Sequence, residues 1–441
     1  MKINIPETGQ SRIVIVGGGF AGLALARKMA KSGSQVVLID KNNYHQFQPL
    51  FYQVAMAGLE PSSIVFPFRK LFHKHRNVFF RMAEVTGIAP EKNRIHTSLG
   101  ICNYDQLVIA TGADTNFFGN EEMARLAIPM KSVSEALFLR NTVLDHYEKA
   151  LSTVDYDARQ GYMDIVIVGG GPTGVEVAGA IAEMRKYVLP KDYPELNCEE
   201  IDIYLVQGAD QLLKGMSEAA SRKALDFLTG MGVKVKLSAR VTDYDGEYVK
   251  INDGTTIRSK KVIWAAGITC PTLPGMPEES KTYGGRLKVD RFSKVAGTGN
   301  IYALGDIAYM EEEAWPKGHP QVAQVAIQQA NHLAGNLKRA AKDQTLKPFV
   351  YKDLGSMATV GRNRAVVDLP RIRFQGAFAW LVWLFVHLFQ LLGVKNRIFV
   401  FLNWVWNYIT YDQSLRLIIR PHIPAQALED ELDQKATEPG A

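Results

Sequence analysis

Short apolar runs alternate with amphipathic helical patterns along much of the chain. Residues 13–16 form a β-branched run typical of a strand buried on both faces, and residues 21–31 continue with helical periodicity. The same order returns at residues 165–168, where the next apolar run covers residues 201–206. This alternation predicts an α/β fold with two Rossmann-like dinucleotide-binding domains.

Three later apolar runs end in small residues. They are residues 107–113 (LVIATGA), residues 262–268 (VIWAAGI) and residues 300–308 (NIYALGDIA). Strand ends of this composition let a ligand pass close to the backbone. We therefore expect these strands to end beside bound cofactors.

A glycine motif stands between the first predicted strand and its helix. Gly17, Gly19 and Gly22 have the G-x-G-x-x-G spacing, which permits a tight turn, close approach of a pyrophosphate and close helix packing. The helix N-terminus then faces the anion. Asp40 ends the next apolar run, where its carboxylate can accept both hydroxyls of an adenosine ribose. Strand, glycines, helix and acid in this order predict a dinucleotide site.

The second unit repeats this motif with one departure. Gly169, Gly171 and Gly174 occupy the glycine positions, but the next strand ends at Gln207 instead of an acid. An amide can bond the ribose 2′-hydroxyl without repelling a 2′-phosphate. If this site takes a nicotinamide dinucleotide, NADH is expected as substrate, with NADPH less strongly excluded than usual. Two dinucleotide sites in one chain indicate hydride transfer between two cofactors.

The composition changes between residues 371 and 420. Four of the six tryptophans and six phenylalanines accompany six basic residues and one acid, Asp412. The apolar stretch 376–393 is shorter than the roughly 20 residues that a spanning helix needs. Polar positions at helical spacing predict two amphipathic helices, broken near residues 393–396, that anchor the chain at a membrane interface. A hydrophobic dimer or domain interface is the alternative, and residues 431–441 are predicted to be disordered.

Composition and charge narrow the class of protein. The 441 residues suggest about three domains, and 47% hydrophobic with 22% charged residues is typical of a globular protein. Cys102, Cys198 and Cys270 are far apart, so neither a disulfide framework nor a metal site is predicted. The net charge of +6 is mild, and no nucleic-acid partner is predicted. The first residues lack the pattern of a signal or transit peptide, so no export is expected.

The order of these motifs resembles the two-dinucleotide flavoproteins, which include disulfide reductases and ferredoxin reductases. The scarcity of cysteines argues against the disulfide-reductase branch. Residues 41–64 (KNNYHQFQPLFYQVAMAGLEPSSI) and 323–337 (AQVAIQQANHLAGNL) resemble the type II NADH dehydrogenases, single-subunit NADH:quinone oxidoreductases that pump no protons. The resemblance implies hydride transfer from NADH to FAD, followed by transfer of two electrons to a membrane quinone.

The resemblance also implies three regions. FAD is expected in residues 8–118 and 294–345, and NAD(P)H in the inserted residues 119–293. Residues 346–441 are expected to form the membrane-anchoring region.

The resemblance implies catalytic roles for three residues. Glu176 is expected near the nicotinamide and the flavin, and complementing the helix dipole is its alternative role. Gln324 is expected to bond a flavin or quinone carbonyl, whereas Gln328 is equally well explained as ordinary helix surface. The predicted FAD residues are Gly17, Gly19, Phe20, Ala21, Gly22, Asp40, Lys41, His45, Gln53, Val85, Ala110, Thr111, Gly112, Gly305, Asp306, Ala323 and Gln324. The predicted NADH residues are Gly169, Gly171, Pro172, Thr173, Gly174, Glu176, Gln207, Ala266 and Gly267.

These expectations describe a peripheral enzyme on the cytoplasmic side of a bacterial inner membrane. Its partners would be a membrane quinone and the lipid surface, and the resemblance implies a homodimer. Two rival functions stay open. A soluble flavin reductase would pass electrons to a protein such as ferredoxin through a basic docking face, whereas here the basic residues interleave with aromatic ones. An NADH-sensing flavoprotein would use the tail for protein contacts and would not turn over a quinone.

Overall fold

Five parallel strands form the first sheet. The computed structural model describes residues 2–271, 273–412 and 415–420, so the predicted disordered tail lies outside the described residues. The strand order across the sheet is Ile301–Ala303, Gln106–Ile109, Arg12–Val16, Gln35–Asp40 and Val78–Met82. Arg12–Val16 is the central strand and is buried along its whole length.

Helices cover one face of this sheet and a small antiparallel sheet covers the other. Phe20–Met29 and Ala323–Ala340 pack together on the first face. The strands Val85–Ala89, Arg94–Thr97 and Gly100–Asn103 pack on the second face. The sheet is thus buried from both sides, which explains why its strands are continuous apolar runs.

The second sheet repeats this architecture. Its strand order is Ile128–Pro129, Val262–Trp264, Ile165–Val168, Ile203–Val206 and Val233–Lys236, all parallel. The helices Val133–Ser152, Pro172–Tyr187 and Glu218–Gly230 pack on one face, and the strands Val241–Tyr244, Tyr248–Ile251 and Thr256–Arg258 on the other. In both sheets the central strand carries the glycine motif at its carboxyl end, where the strand order reverses and ligands bind in such folds.

The small-residue ends of the late strands leave their sheets. The strand predicted at residues 107–113 ends at Ile109, and the one predicted at residues 262–268 ends at Trp264. Gly112 and Gly267 follow with φ of 73° and 113°, a left-handed conformation that cannot continue a strand. The chain then forms an antiparallel pair between Asp114–Thr115 and Ile268–Thr269, which joins the two units.

The division between the units stays a prediction, although the packing bears on its bounds. Cys270, Met276, Leu287 and Val289 are already buried in the core of the first sheet. The packing therefore favours a boundary near residue 270, where the chain re-enters the first unit, instead of the predicted boundary at residue 294.

The C-terminal region consists of a small sheet followed by two helices. Ser356–Thr359, Ala365–Asp368 and Arg373–Gln375 form the antiparallel sheet. The helices Ala377–Gln390 and Val394–Thr410, hereafter the foot helices, are separated by a turn at Gly393, as the sequence predicted. No helix within the described ranges is long and apolar enough to cross a membrane. Shorter helices in the chain are Phe51–Ala55, Phe68–Phe72, Glu121–Leu126, Tyr156–Met163 and Leu189–Asp192.

Candidate active site

The two glycine turns have the same backbone geometry. Gly17 and Gly169 have left-handed φ of 97° and 111°, and a Cβ on either would overlap the carbonyl group of the neighbouring strand end. A Cβ on Gly22 or Gly174 would overlap the carbonyl oxygen of the first glycine of its own motif. Only glycine fits these four positions, so each turn holds its strand and helix in close contact.

The middle glycine of each turn faces open space. Nothing lies within 4 Å of the position that a Cβ would take on Gly19 or Gly171. Gly19 caps the helix Phe20–Met29 and Gly171 caps Pro172–Tyr187, in both cases without a side-chain hydrogen bond to the helix. The N–H groups of these helix ends are therefore open to an anion, and the predicted binding of a pyrophosphate there stays a prediction.

A cavity of about 350 Å³ opens in front of the first glycine turn. Seven of the residues predicted to bind FAD line it: Gly17, Gly19, Asp40, Lys41, Val85, Ala110 and Thr111. Sequence reasoning missed the other side chains of its wall, which include Tyr44, Gln46, Glu84, Pro271, Leu273 and Pro274. The proline and leucine positions come from a segment more than 150 residues away along the chain, and no local motif marks them.

Asp40 holds the first glycine turn in place. Its Oδ2 accepts a hydrogen bond from the N–H of Gly18 at 2.6 Å, and its Oδ1 accepts one from the N–H of Asn42 at 2.7 Å. Burial raises the pKa of this carboxyl, while the two backbone bonds act in the opposite direction. Each oxygen retains a second lone pair, so the carboxylate can still accept ribose hydroxyls.

Gln207 takes the place of Asp40 in the second unit. Its Oε1 accepts a hydrogen bond from the N–H of Gly170 at 2.9 Å, and its Nε2 donates to the carbonyl of Gln211 at 3.2 Å. The amide therefore fixes the turn as the carboxylate does in the first unit. Unlike the carboxylate of Asp40, the amide of Gln207 places no negative charge beside the predicted ribose site.

His45 contacts the backbone of the first glycine turn. It is buried in the strand Tyr44–Gln46, and its Nδ1 lies 3.0 Å from the carbonyl oxygen of Gly18. Burial lowers its pKa, which favours the neutral ring. Phe20 meets His45 and Phe47 edge to face, so aromatic packing fixes the wall of the turn.

The turn before Asp306 depends on a residue that sequence reasoning missed. Gln329 is fully buried, and its Oε1 accepts a hydrogen bond from the N–H of Gly305 at 2.8 Å. Burial raises the pKa of Asp306, and the nearby charges of Lys131 and Arg286 lower it. The sequence carried one indication of this role for Gln329. Its amide falls on the apolar face of an amphipathic helix, where a buried polar group needs a hydrogen-bond partner.

Glu176 lies where the two nucleotide units and the C-terminal sheet meet. Burial raises its pKa to about 8, and a hydrogen bond from the backbone of Thr359 opposes that shift. The phenol oxygen of the partly buried Tyr52 accepts hydrogen bonds from Thr359 Oγ1 at 3.2 Å and Gln53 Nε2 at 2.9 Å. The charge of Glu176 further raises the pKa of Tyr52. At neutral pH the Glu176 carboxyl is mostly protonated, so it can both donate and accept a hydrogen bond.

The amides of Gln324 and Gln328 bind a segment of their own chain. Gln324 accepts from the N–H of Leu354 at 2.9 Å and donates to the carbonyl of Gly355 at 3.0 Å. Gln328 accepts from the N–H of Lys352 at 3.1 Å and donates to the carbonyl of the same residue at 2.8 Å. Their catalytic roles stay predictions, since each amide already has both of its ends bonded.

Gln53 connects the first unit to the foot helices. Its Oε1 accepts a hydrogen bond from Trp404 Nε1 at 2.7 Å, and its Nε2 donates to Tyr52. A second cavity of about 100 Å³ is lined here by residues that include Tyr52, Gln53, Glu183, Arg362, Trp380 and Trp404. The predicted contact of Gln53 with FAD stays a prediction.

The remaining predicted residues lie at the edges of the two turns. Pro172 and Thr173 are exposed in the first turn of the second glycine helix. Ala266 and Gly267 follow the adjacent strand, and Gly267 lies beside the ring of Phe118. In the first unit, Ala21 adjoins Gly305, Gly112 has left-handed φ, and Ala323 begins the helix that carries Gln324 and Gln328.

Comparison with known proteins identifies the family. Residues 11–330 match the model of pyridine nucleotide-disulphide oxidoreductases, and residues 354–410 match the NDH2 C-terminal domain. The type II NADH:quinone oxidoreductase Ndh of Mycobacterium tuberculosis is 34% identical, over 97% of this chain and 94% of its own length. This chain belongs to the type II NADH:quinone oxidoreductase family.

A further relative and two solved structures are also similar to this chain. The type II NADH:quinone oxidoreductase of Staphylococcus aureus is 27% identical, over 81% of this chain and 89% of its own. The structure of NDH2 from Plasmodium falciparum in complex with NADH matches with a TM-score of 0.85 and 22% identity, covering 93% of this chain and 100% of that one. A sulfide:quinone oxidoreductase from Aquifex aeolicus has a TM-score of 0.71, 18% identity, and coverage of 93% and 96%. These two structures share the fold.

As a type II enzyme, the protein is an FAD-dependent oxidoreductase that takes electrons from NADH to a quinone. The family supports this function over a ferredoxin-type reductase or an NADH sensor. The residues present fit both cofactors. In each glycine turn the middle glycine leaves open space in front of a helix N-terminus, and a side chain at that position would project into this space. Bound FAD supplies two-electron chemistry between nicotinamide and quinone. The protein supplies the cradle, the packing of the turns and the hydrogen bonds described above.

Proposed function

We propose that this enzyme works as a peripheral membrane protein and reduces a quinone dissolved in the bilayer on which its foot helices rest. One observation carries the proposal. The foot helices expose a continuous apolar face, while their opposite face packs against residues beside Glu176 and the first glycine turn.

The exposed face of the foot is apolar on both helices. On the first helix, Phe378, Leu381, Phe385 and Phe389 recur at helical spacing, and each is more than half exposed. On the second helix the apolar residues that are more than half exposed are Val394, Ile398, Phe399, Phe401, Leu402, Trp406 and Ile409. A large apolar surface of this kind marks an interaction site, and aromatic amphipathic helices are typical of the membrane interface.

The buried face of the foot contacts the active site. Trp383 is buried, stacks on His387 with ring centroids 3.9 Å apart, and meets the ring of Tyr52 edge to face at 6.1 Å. His387 in turn contacts Phe47, which packs beside the first glycine turn. These contacts fix the position of the foot relative to the cofactor residues, which supports delivery of an apolar substrate from the lipid.

We further propose that Glu176 orients the nicotinamide. A buried, protonated carboxyl can donate to the carbonyl and accept from the amino group of a carboxamide. Glu176 is buried, its carboxyl accepts a hydrogen bond from the backbone of Thr359, and Thr359 in turn bonds Tyr52. Gln324 and Gln328 stay predicted contributors at the quinone end, through the segment that they position.

The membrane proposal is tested with polar substitutions on the exposed face of the foot. Leu381→Asn and Phe385→Asn leave the buried contacts intact, because both side chains are mostly in solvent. We expect the double variant to lose flotation with neutral phosphatidylcholine vesicles and turnover of a long-chain membrane quinone. It should retain NADH oxidation with a water-soluble quinone analogue.

Leu99→Asn with Val154→Asn is the matched control, since these exposed apolar residues lie away from the foot. The control should float like the wild type. Flotation of the foot variant at the wild-type level would contradict the membrane proposal.

We also propose a homodimer on the cytoplasmic face of a bacterial inner membrane. The homodimer rests on the family resemblance, and the side of the membrane is the expectation drawn from the sequence. Sedimentation of the flavin-loaded enzyme in detergent tests the dimer, and protease access to sealed, oriented membrane vesicles tests the side. A monomer at every concentration, or digestion only from the outer face, would contradict them.

A further inference from the structure

We infer that four cations beside the foot form a binding surface for the headgroups of anionic phospholipids. These are Arg69, Lys70, Lys74 and Arg76, hereafter the basic ridge, on and just after the helix Phe68–Phe72. The inference rests on the proposed membrane function and adds a preference for the kind of lipid.

The basic ridge is attached to the turn between the foot helices. The strand Val65–Pro67 leads into it, and the carbonyl of Val65 accepts a hydrogen bond from Asn396 Nδ2 at 3.0 Å. The ring of Phe66 packs so closely on Gly393 that a Cβ there would lie 2.6 Å from it. Lys70 Nζ lies 5.6 Å from the centre of the same ring. The ridge therefore adjoins the first turn of the second foot helix, where Val394 is 70% exposed.

The chain segments that form the foot and the basic ridge contain no acidic residue. Residues 61–83 and 369–411 hold nine of the 51 lysines and arginines of the chain and none of its 45 acidic residues. The remaining 42 cations are outnumbered by the 45 acids, so the rest of the chain is net negative by three. The whole basic excess of the protein is thus concentrated on the foot and the segment beside it.

The cations of the ridge are available to a ligand. All four are exposed, and none forms an ion pair with a carboxylate among the residues that the structure describes. Some cations elsewhere on the surface are paired: Lys234, Lys236 and Lys250 each form an ion pair with an aspartate at 2.6–2.9 Å. Unpaired like charges repel one another, so their grouping favours an anionic partner.

The position of the ridge identifies that partner as a lipid headgroup. An enzyme resting on its foot holds the turn at Gly393 at the level of the headgroups, because the apolar residues that follow belong in the acyl region. The adjoining cations then meet the phosphates of the same leaflet. Basic segments beside an inserted apolar helix attract anionic lipids over about one Debye length.

The test compares three full-length proteins, each loaded with flavin, on two kinds of vesicle. The ridge variant combines Arg69→Gln, Lys70→Gln, Lys74→Gln and Arg76→Gln. The control removes four exposed cations elsewhere, with Lys92→Gln, Arg94→Gln, Lys288→Gln and Lys342→Gln. Partition is measured by co-sedimentation with phosphatidylcholine vesicles and with vesicles that also contain phosphatidylglycerol, at low and high salt. Flavin content and turnover of a water-soluble quinone analogue report on folding.

We expect the wild type and the control to partition at least about tenfold more strongly to the anionic vesicles at low salt, and this preference to vanish at high salt. The ridge variant should lose most of this preference. Wild-type preference in the ridge variant, or an equal loss in the control, would overturn the inference.

Other outcomes identify what has failed. If the wild type binds neither vesicle, the proposed membrane function fails together with the ridge. If all three proteins bind neutral vesicles and none prefers anionic ones, only the ridge assignment fails. Stronger ridge-dependent binding to soluble polyglutamate than to anionic vesicles would identify an acidic protein surface as the partner and overturn the lipid assignment.

Discussion

Gln329 accepts a hydrogen bond from the backbone N–H of Gly305 across 2.8 Å, and this bond joins the helix Ala323–Ala340 to the turn that carries Asp306. Both groups are buried, and Gly305 has φ of 74°. The amide therefore fixes a left-handed turn at a strand end where the family resemblance implies that the cofactor lies.

Gln329→Ala should loosen this turn and weaken retention of FAD. Leaving the N–H of Gly305 buried without a partner costs roughly 1–3 kcal/mol of folding free energy. We expect a lower melting temperature and a lower ratio of flavin to protein after gel filtration. Gln328→Ala is the matched control for flavin content on the same helix, because its amide bonds Lys352 away from this turn. Full flavin content in Gln329→Ala would refute the role of Gln329.

The glycine turns could be predicted from the sequence alone, whereas the role of Gln329 could not. The glycine turns were predictable because spacing, strand and helix all lie within about 30 residues. Gln329 was not singled out, since the sequence showed Gln324, Gln328 and Gln329 as similar amides on one helix. Only the packing reveals that Gln329 faces inward while the other two reach the segment 352–355.

The sequence also could not predict that Glu176, Tyr52 and Thr359 lie close together. Tyr52 and Thr359 are separated by 307 positions, and their hydroxyl groups form a hydrogen bond of 3.2 Å. Local patterns fix strands, helices and turns, but such a junction depends on how three regions pack together. The amphipathic character of the foot helices was predictable for the opposite reason, because helical spacing alone determines it.

Glu176 should make the enzyme less stable as the pH rises. Burial gives the folded protein a pKa of about 8 at this carboxyl, against 4.5 as the ordinary value. Between these values the folded state holds a proton that the unfolded state releases, so unfolding becomes easier with rising pH until the folded carboxyl also ionises. The difference in melting temperature between Glu176→Gln and wild type should therefore grow from pH 5 to about pH 8 and then stay constant.

The same titration should affect catalysis. If the protonated carboxyl orients the nicotinamide, kcat/KM for NADH in the wild type falls above pH 8, and Glu176→Gln lacks this fall. Glu183→Gln is the control, two turns along the same helix, where the carboxylate accepts a hydrogen bond from the N–H of Arg362. A decline above pH 8 that persists in Glu176→Gln would assign it to another group.

Gln207 should set the preference between NADH and NADPH. Its Oε1 accepts the N–H of Gly170, and a glutamate could keep that bond while adding a negative charge beside the ribose site. We expect Gln207→Glu to raise the ratio of kcat/KM for NADH over NADPH by at least about tenfold. Gln211→Glu adds the same charge four residues away and should change the ratio much less. A wild-type preference for NADH of many thousandfold would contradict the prediction of relaxed specificity.

Gln324 and Gln328 provide a comparison of two amides with similar bonds. Each bonds the backbone of the segment 352–355 twice, so replacement of either by alanine should cost a similar amount, roughly 1–2 kcal/mol of folding free energy. Their kinetic effects should differ, because Gln324 lies in the first turn of the helix, at the end implied to face the flavin. We expect kcat/KM for the quinone to fall about tenfold in Gln324→Ala and to change by less than about twofold in Gln328→Ala.

Parallel stability measurements separate the two possible causes of such a difference. If both variants lose equal stability and equal quinone turnover, the segment acts as one structural unit and neither amide has a direct role at the quinone site. If only Gln324→Ala raises KM for the quinone while both melt alike, the effect comes from the substrate end of the helix. Gln324→Glu sharpens the test, because a carboxylate keeps the bond from the N–H of Leu354 but cannot donate to the carbonyl of Gly355.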